Sequence, residues 1–161
     1  MSQQVLDQAK VARMASLLSW ATEEVVAALQ PLDFINIRSM EQAEKAFRSV
    51  PDNSEAQRLV MEKWLSFCAT VDEVKEVFLS APLNSEAQRL AMKKWLSFCA
   101  TTDEIKKAFL STFINSVAQR LVIEKWLPFC ATVDEVKEIF RSVALHSEAE
   151  RLAIRRIYEL I

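Results

Sequence analysis

Lys63-Trp64-Leu65-Ser66-Phe67-Cys68-Ala69-Thr70 returns unchanged from Lys94 to Thr101, and again from Lys125 to Thr132 with Pro128 in place of the serine. Trp64, Trp95 and Trp126 follow one another at a constant step of 31, and the flanking positions keep it: 22 of 31 are identical between 53–83 and 84–114. A fixed period of roughly 20 to 50 residues marks an array in which each unit buries its apolar face against its neighbours. The motif therefore decides the fold class before any other feature does.

Each unit reads as two helices. Ser54 with Gln57 three positions later predicts a capping box opening a long helix, and Thr70 with Glu73 predicts another opening a short one. Ser85/Gln88, Ser116/Gln119, Ser147/Glu150, Thr101/Glu104 and Thr132/Glu135 repeat the pattern. Pro51 and Pro82 follow the short helix, which they cannot continue. At 100° per residue, Ala56, Val60, Met61, Trp64, Leu65, Phe67 and Cys68 cover about half of the long helix. They are expected to be core, with Trp64 at the centre. Glu55, Arg58, Glu62 and Ser66 fall on the opposite arc at ion-pair spacing. The short helix should bury Val71, Val74, Val77, Phe78 and Ala81. Pro128 removes a donor inside the third long helix, which predicts a kink.

The segment 1–52 departs from this regularity. A helix is expected from Asp7 to Ala21, a short one from Glu23 to Leu29, a break at Pro31 and an apolar piece from Phe34 to Ile37, together forming a cap on the array. From Ser39 the register locks, since Phe47, Phe78, Phe109 and Phe140 follow at steps of 31. The expected organisation is a single repeat domain over 1–161: a cap at 1–38, a half repeat at 39–52, full repeats at 53–83, 84–114 and 115–145, and a C-terminal half repeat at 146–161. In that last part Ile157 takes the tryptophan place and His146 takes the place of Asn53, Asn84 and Asn115.

Composition narrows the function classes. The chain has no glycine, which excludes glycine-rich nucleotide loops. Basic and acidic residues number 5 and 7 in 1–52, 3 and 5 in 53–83, 5 and 3 in 84–114, 4 and 4 in 115–145, and 3 and 3 in 146–161. No sustained positive surface accumulates of the kind that phosphate neutralisation needs. Cys68, Cys99 and Cys130 share one repeat position at the end of an apolar helix. Helices pack about 8 to 10 Å apart, beyond the roughly 7 Å that a disulfide spans, so reduced, buried thiols are expected. One histidine, with no paired nucleophile and base and no metal-ligand spacing, gives no enzyme reading. Catalytic residues, cofactors and metal ligands are accordingly expected to be none. No apolar run approaches the ~18 residues of a membrane span, and the start, from Met1 to Asp7, shows no basic leader, so the expected location is cytoplasmic.

In layout the stretch from about residue 39 to 161 resembles the α-solenoids built from helical hairpins, the tetratricopeptide, pentatricopeptide and HEAT group. Its period of 31, late Trp64 and absent glycine differ from the tetratricopeptide pattern, which repeats at about 34 residues. The resemblance implies an all-α, right-handed solenoid of stacked two-helix repeats acting as a scaffold for a protein or peptide partner. The outer columns of the short helices are the candidate binding residues: Asp72, Asp103 and Asp134; Lys75, Lys106 and Lys137; Leu79, Leu110 and Arg141. A single-stranded nucleic-acid reader of the one-base-per-repeat kind is an alternative that the alternating charge opposes, and a recently duplicated or consensus-like chain without an evolved ligand is another. Self-association through the terminal repeats is a further expectation.

Overall fold

The computed structural model describes residues 7–19, 21 and 36–161. The expected short helix from Glu23 to Leu29, the break at Pro31, and Phe34 and Ile35 lie outside the described residues. Nine α-helices and no strands occur among those described. The chain divides into two compact units, Met1–Ala69 and Thr70–Ile161.

The first unit contains α1 (Gln8–Leu18), α2 (Met40–Ser49) and α3 (Glu55–Phe67). Asp7 caps α1 by accepting from the backbone N–H of Ala9 at 3.0 Å, and Ser19 ends it in the left-handed region at φ 54°. The helix is thus shorter than the expected span to Ala21. Ser39 caps α2, whose buried Ala43 and Phe47 face α3. The ring of Phe47 lies 5.5 Å from that of Trp64.

The second unit contains α4 (Val71–Ser80), α5 (Glu86–Phe98), α6 (Thr102–Leu110), α7 (Val117–Trp126), a 3₁₀ turn η1 (Leu127–Phe129), α8 (Val133–Ser142) and α9 (Glu148–Leu160). The long helices form a row, α5 against α7 and α7 against α9. Each short helix packs chiefly on the long helix that follows it: α4 on α5, α6 on α7, α8 on α9. The packing unit is therefore a short–long hairpin beginning at Thr70, Thr101 and Thr132. Phe78 meets Trp95 at 5.7 Å and Phe109 meets Trp126 at 5.6 Å, both edge-on. Tilted and edge-to-face pairs at such separations add to the area that the rings bury.

Trp64, Trp95 and Trp126 are buried as expected, with Val60, Met61, Ala91, Met92, Val122 and Ile123 wholly enclosed beside them. Phe67 is a correction. It is only half-buried, and the Lys63 ammonium lies 5.5 Å over its ring; Phe98 and Lys94 repeat the arrangement at 5.4 Å. Val71 is another, being exposed because it occupies the first turn of α4, before the buried stripe of Val74, Val77 and Phe78 is reached.

The short helices carry full capping boxes: Thr70, Thr101 and Thr132 accept from the N–H of Glu73, Glu104 and Glu135, whose carboxylates accept in return. The long helices do not close the box in the expected way. Ser54 accepts from Gln57 N–H at 3.0 Å, but Gln57 Oε1 accepts from Asn53, one residue before the cap, at 2.9 Å. Gln88 and Gln119 do the same with Asn84 and Asn115, and Glu150 with His146. Those four residues have φ between 58° and 61°. Asparagine tolerates the left-handed region better than other residues with a Cβ, which is how a chain without glycine makes these turns.

Pro128 does not leave an α-helix running past it. α7 stops at Trp126, whereas α3 and α5 continue to Phe67 and Phe98, the counterparts of Phe129. The last turn tightens to 3₁₀ geometry, a form that helix ends adopt readily.

Candidate binding surfaces

The expected binding residues all lie in the second unit, one set per short helix. Asp72, Lys75 and Leu79 are exposed on α4; Asp103 and Leu110 on α6; Asp134, Lys137 and Arg141 on α8. Leu79 and Leu110 are 64% and 82% exposed, large apolar side chains without cover. Lys106 differs from its column. It is half-buried, its ammonium lies 5.7 Å over the Trp126 ring, and it pairs with Glu138 of α8 at 3.6 Å. The lysine thus ties α6 to its neighbours. Lys137 pairs with Asp134 at 3.4 Å, while Lys75 has no ion pair among the described residues.

The turns add an apolar column that helix periodicity did not single out. Leu83, Ile114 and Leu145 occupy one repeat position and are exposed, with Phe113 beside Ile114. Their common spacing is visible in the sequence, but a position outside both helices belongs to neither helical stripe. Behind them the turns are linked: the N–H of Val117, first residue of α7, donates to Asn84 Oδ1 at 3.0 Å. A side chain in one turn therefore caps the long helix of the next hairpin.

Long helices contribute the polar arc. Arg58 bridges Glu55 and Glu62 in α3, and Arg89 pairs with Glu86 in α5. In α7 and α9 the arc borders a cleft of about 470 Å³, lined by Glu124, Leu127, Pro128, Leu152, Arg155, Arg156 and Glu159. Arg120 holds Glu124 at 3.0 Å. Arg156 donates to the Cys130 carbonyl at 3.0 Å and pairs with Glu159 at 3.1 Å.

Electrostatic perturbations fall on structural groups. The backbone N–H groups of Ala100 and Thr101 hold the Glu104 carboxyl below the usual range, and those of Thr132 and Ala131 do so for Glu135. Burial pushes the Cys99 and Cys130 thiols up. All three cysteines are buried, and each Sγ lies near the tryptophan carbonyl four residues back, at 3.6 Å for Cys68 and Cys99 and 3.8 Å for Cys130. A raised thiol pKa lowers the thiolate fraction that nucleophilic chemistry would need.

No family model, curated protein or solved structure matches the chain. No described helix is long and apolar enough to cross a membrane.

Proposed function

We propose that the chain is an α-solenoid of helical hairpins serving as a non-enzymatic scaffold for a protein or peptide partner. The observation that supports this reading is the segregation of the repeat: its seam is filled by Trp, Met and Val, while its exposed positions recur as columns that include uncovered Leu79 and Leu110. Regularly spaced apolar and charged side chains on a rigid surface suit an extended segment that meets the same chemistry at each step. Lys75 and Lys137 of the lysine column supply its charge, Lys106 being held by Glu138 and over the Trp126 ring. Replacing Lys75 and Lys137 with alanine and comparing capture of a purified partner with the parent chain tests the assignment. Loss of capture at an unchanged circular-dichroism spectrum is expected, and full retention would remove that column from the binding face.

A second reading rests on α9. Ile154 and Tyr158 are exposed, whereas Ile123 and Leu127, one repeat earlier, are buried. An apolar face sealed in the inner hairpins and open in the last suits self-association. Sedimentation equilibrium tests it: mass should rise with concentration for the parent and remain monomeric for Ile154→Asp.

A further inference from the structure

Three columns of the long helices stay buried in every unit until α9. Met61, Met92 and Ile123 are wholly enclosed, Leu65, Leu96 and Leu127 nearly so, and Cys68, Cys99 and Cys130 close the same face. The α9 residues at those positions are Ile154, Tyr158 and Ile161, which are 52%, 83% and 92% exposed. They stand at i, i+4 and i+7, and the Ile161 N–H still donates to the Ile157 carbonyl at 3.2 Å, so they form one helical stripe. Within the row, α5 has α7 packed against it and α7 has α9. The open stripe therefore continues an interface that the fold already uses, and the element that fits it is a long helix of this repeat.

A second copy offers such a helix with its face free at α9 itself, because α5 and α7 have theirs closed. The charges beside the stripe suit that match. Arg155 is exposed and has no ion pair among the described residues, while Glu159 is held by Arg156 at 3.1 Å with its side chain 52% exposed. Two α9 helices laid antiparallel about Tyr158 set Ile154 of each opposite Ile161 of the other. The same register brings Arg155 of each to the height of Glu159 of the other, where a guanidinium and a carboxylate can pair. A parallel pair would put equal charges at equal heights. α1 also exposes apolar side chains, Met14 and Leu17, but its exposed Lys10 and Arg13 are basic like Arg151 and Arg155.

We propose that α9 of a second copy covers this stripe, antiparallel, in a closed two-fold homodimer with Ile154 against Ile161 and Arg155 against Glu159. An isologous contact of this kind uses the same patch on both copies and stops at two. The inference rests on the self-association reading above and adds the partner surface, its direction and its closure.

Sedimentation equilibrium of complementary charge variants tests it. The parent chain should pass from monomer to dimer and no further. Arg155→Glu makes the facing charges all acidic and Glu159→Arg makes them all basic, so each variant alone should associate about tenfold or more weakly than the parent, at an unchanged circular-dichroism spectrum. An equimolar mixture of the two should recover the parent's association, since each copy then meets the opposite charge. Variants that associate as the parent does, or a mixture no better than its components, overturn the antiparallel register while self-association through Ile154 stands. Mass that climbs past the dimer overturns the closed two-fold contact. A parent chain that stays monomeric at every concentration removes this inference and the self-association reading together.

Discussion

The ring of Phe109, in a short helix, meets that of Trp126, in the long helix that follows, edge-on at 5.6 Å. Phe78 and Trp95 stand in the same relation, and their contact joins each short helix to the long helix after it. Trp126→Ala should therefore cost about 3 to 5 kcal/mol, the usual loss for emptying a buried aromatic site. Urea midpoints at constant m-value measure it. In the last hairpin the corresponding pair is Phe140 and Ile157, both only half-buried, so Ile157→Trp should add about 0.5 to 1.5 kcal/mol through the ring pair.

Gln119 is a nearly fully buried polar residue whose Oε1 accepts from Asn115 N–H at 2.9 Å. Replacing it with leucine keeps the volume and orphans that donor. A loss of about 1 to 3 kcal/mol is expected. Chemical denaturation reads it, and Gln119→Met should be no better, because neither side chain supplies the acceptor.

Asn84 has two separable roles, a φ of 58° and the bond from Val117 N–H to its Oδ1. Asn84→Gly keeps the backbone geometry and removes the side-chain acceptor, and should cost up to about 1 kcal/mol, as at a helix cap. Asn84→Val should cost more, since a β-branched residue at positive φ is strained. His146 sits at φ 61°. His146→Asn should be neutral or stabilising, by a shift in thermal midpoint.

Glu104 and Glu135 predict an acid limb. Their carboxyls are held low in the folded chain by backbone N–H donors, so each contributes stability that is present above the unfolded glutamate value of about 4.3. That contribution is lost as pH falls through the lower folded values. Urea midpoints between pH 7 and pH 2 should decline across this window. The decline should flatten in a double Glu104→Gln, Glu135→Gln variant.

Cys99 and Cys130 have thiols pushed up by burial, and Cys68 is equally enclosed. A chromogenic disulfide reagent at neutral pH should leave all three unmodified in the native protein and titrate three thiols after denaturation. Rapid native modification would show that the long-helix ends open.

Local features are legible from residues alone because they are set within a few positions. Thr70, Thr101 and Thr132 cap the helices that follow them, as i to i+3 chemistry requires. The tryptophan column is legible too, since 100° spacing places it mid-stripe whatever the stripe packs on. Phe67 departs from its expected burial because a stripe's edge is covered or left open by neighbours, and a local lysine covers it here. The asparagine column stands out by its period, but its left-handed geometry follows from the turn it must close.

The sequence by itself determined the all-helical class, the constant repeat step, the capped helix starts and the buried Trp seam, all governed by spacing along the chain. Only the tertiary structure decided that each short helix joins the long helix after it, that Pro128 tightens a turn rather than leaving a bent α-helix, and that Arg155 and Arg156 border a cleft with Leu127 and Leu152. The physical reason is range. Propensity and capping act within a single helical turn, whereas the pairing of helices and the shape of a cleft depend on contacts between side chains from different helices, which the local pattern of a repeat leaves equally open to either neighbour.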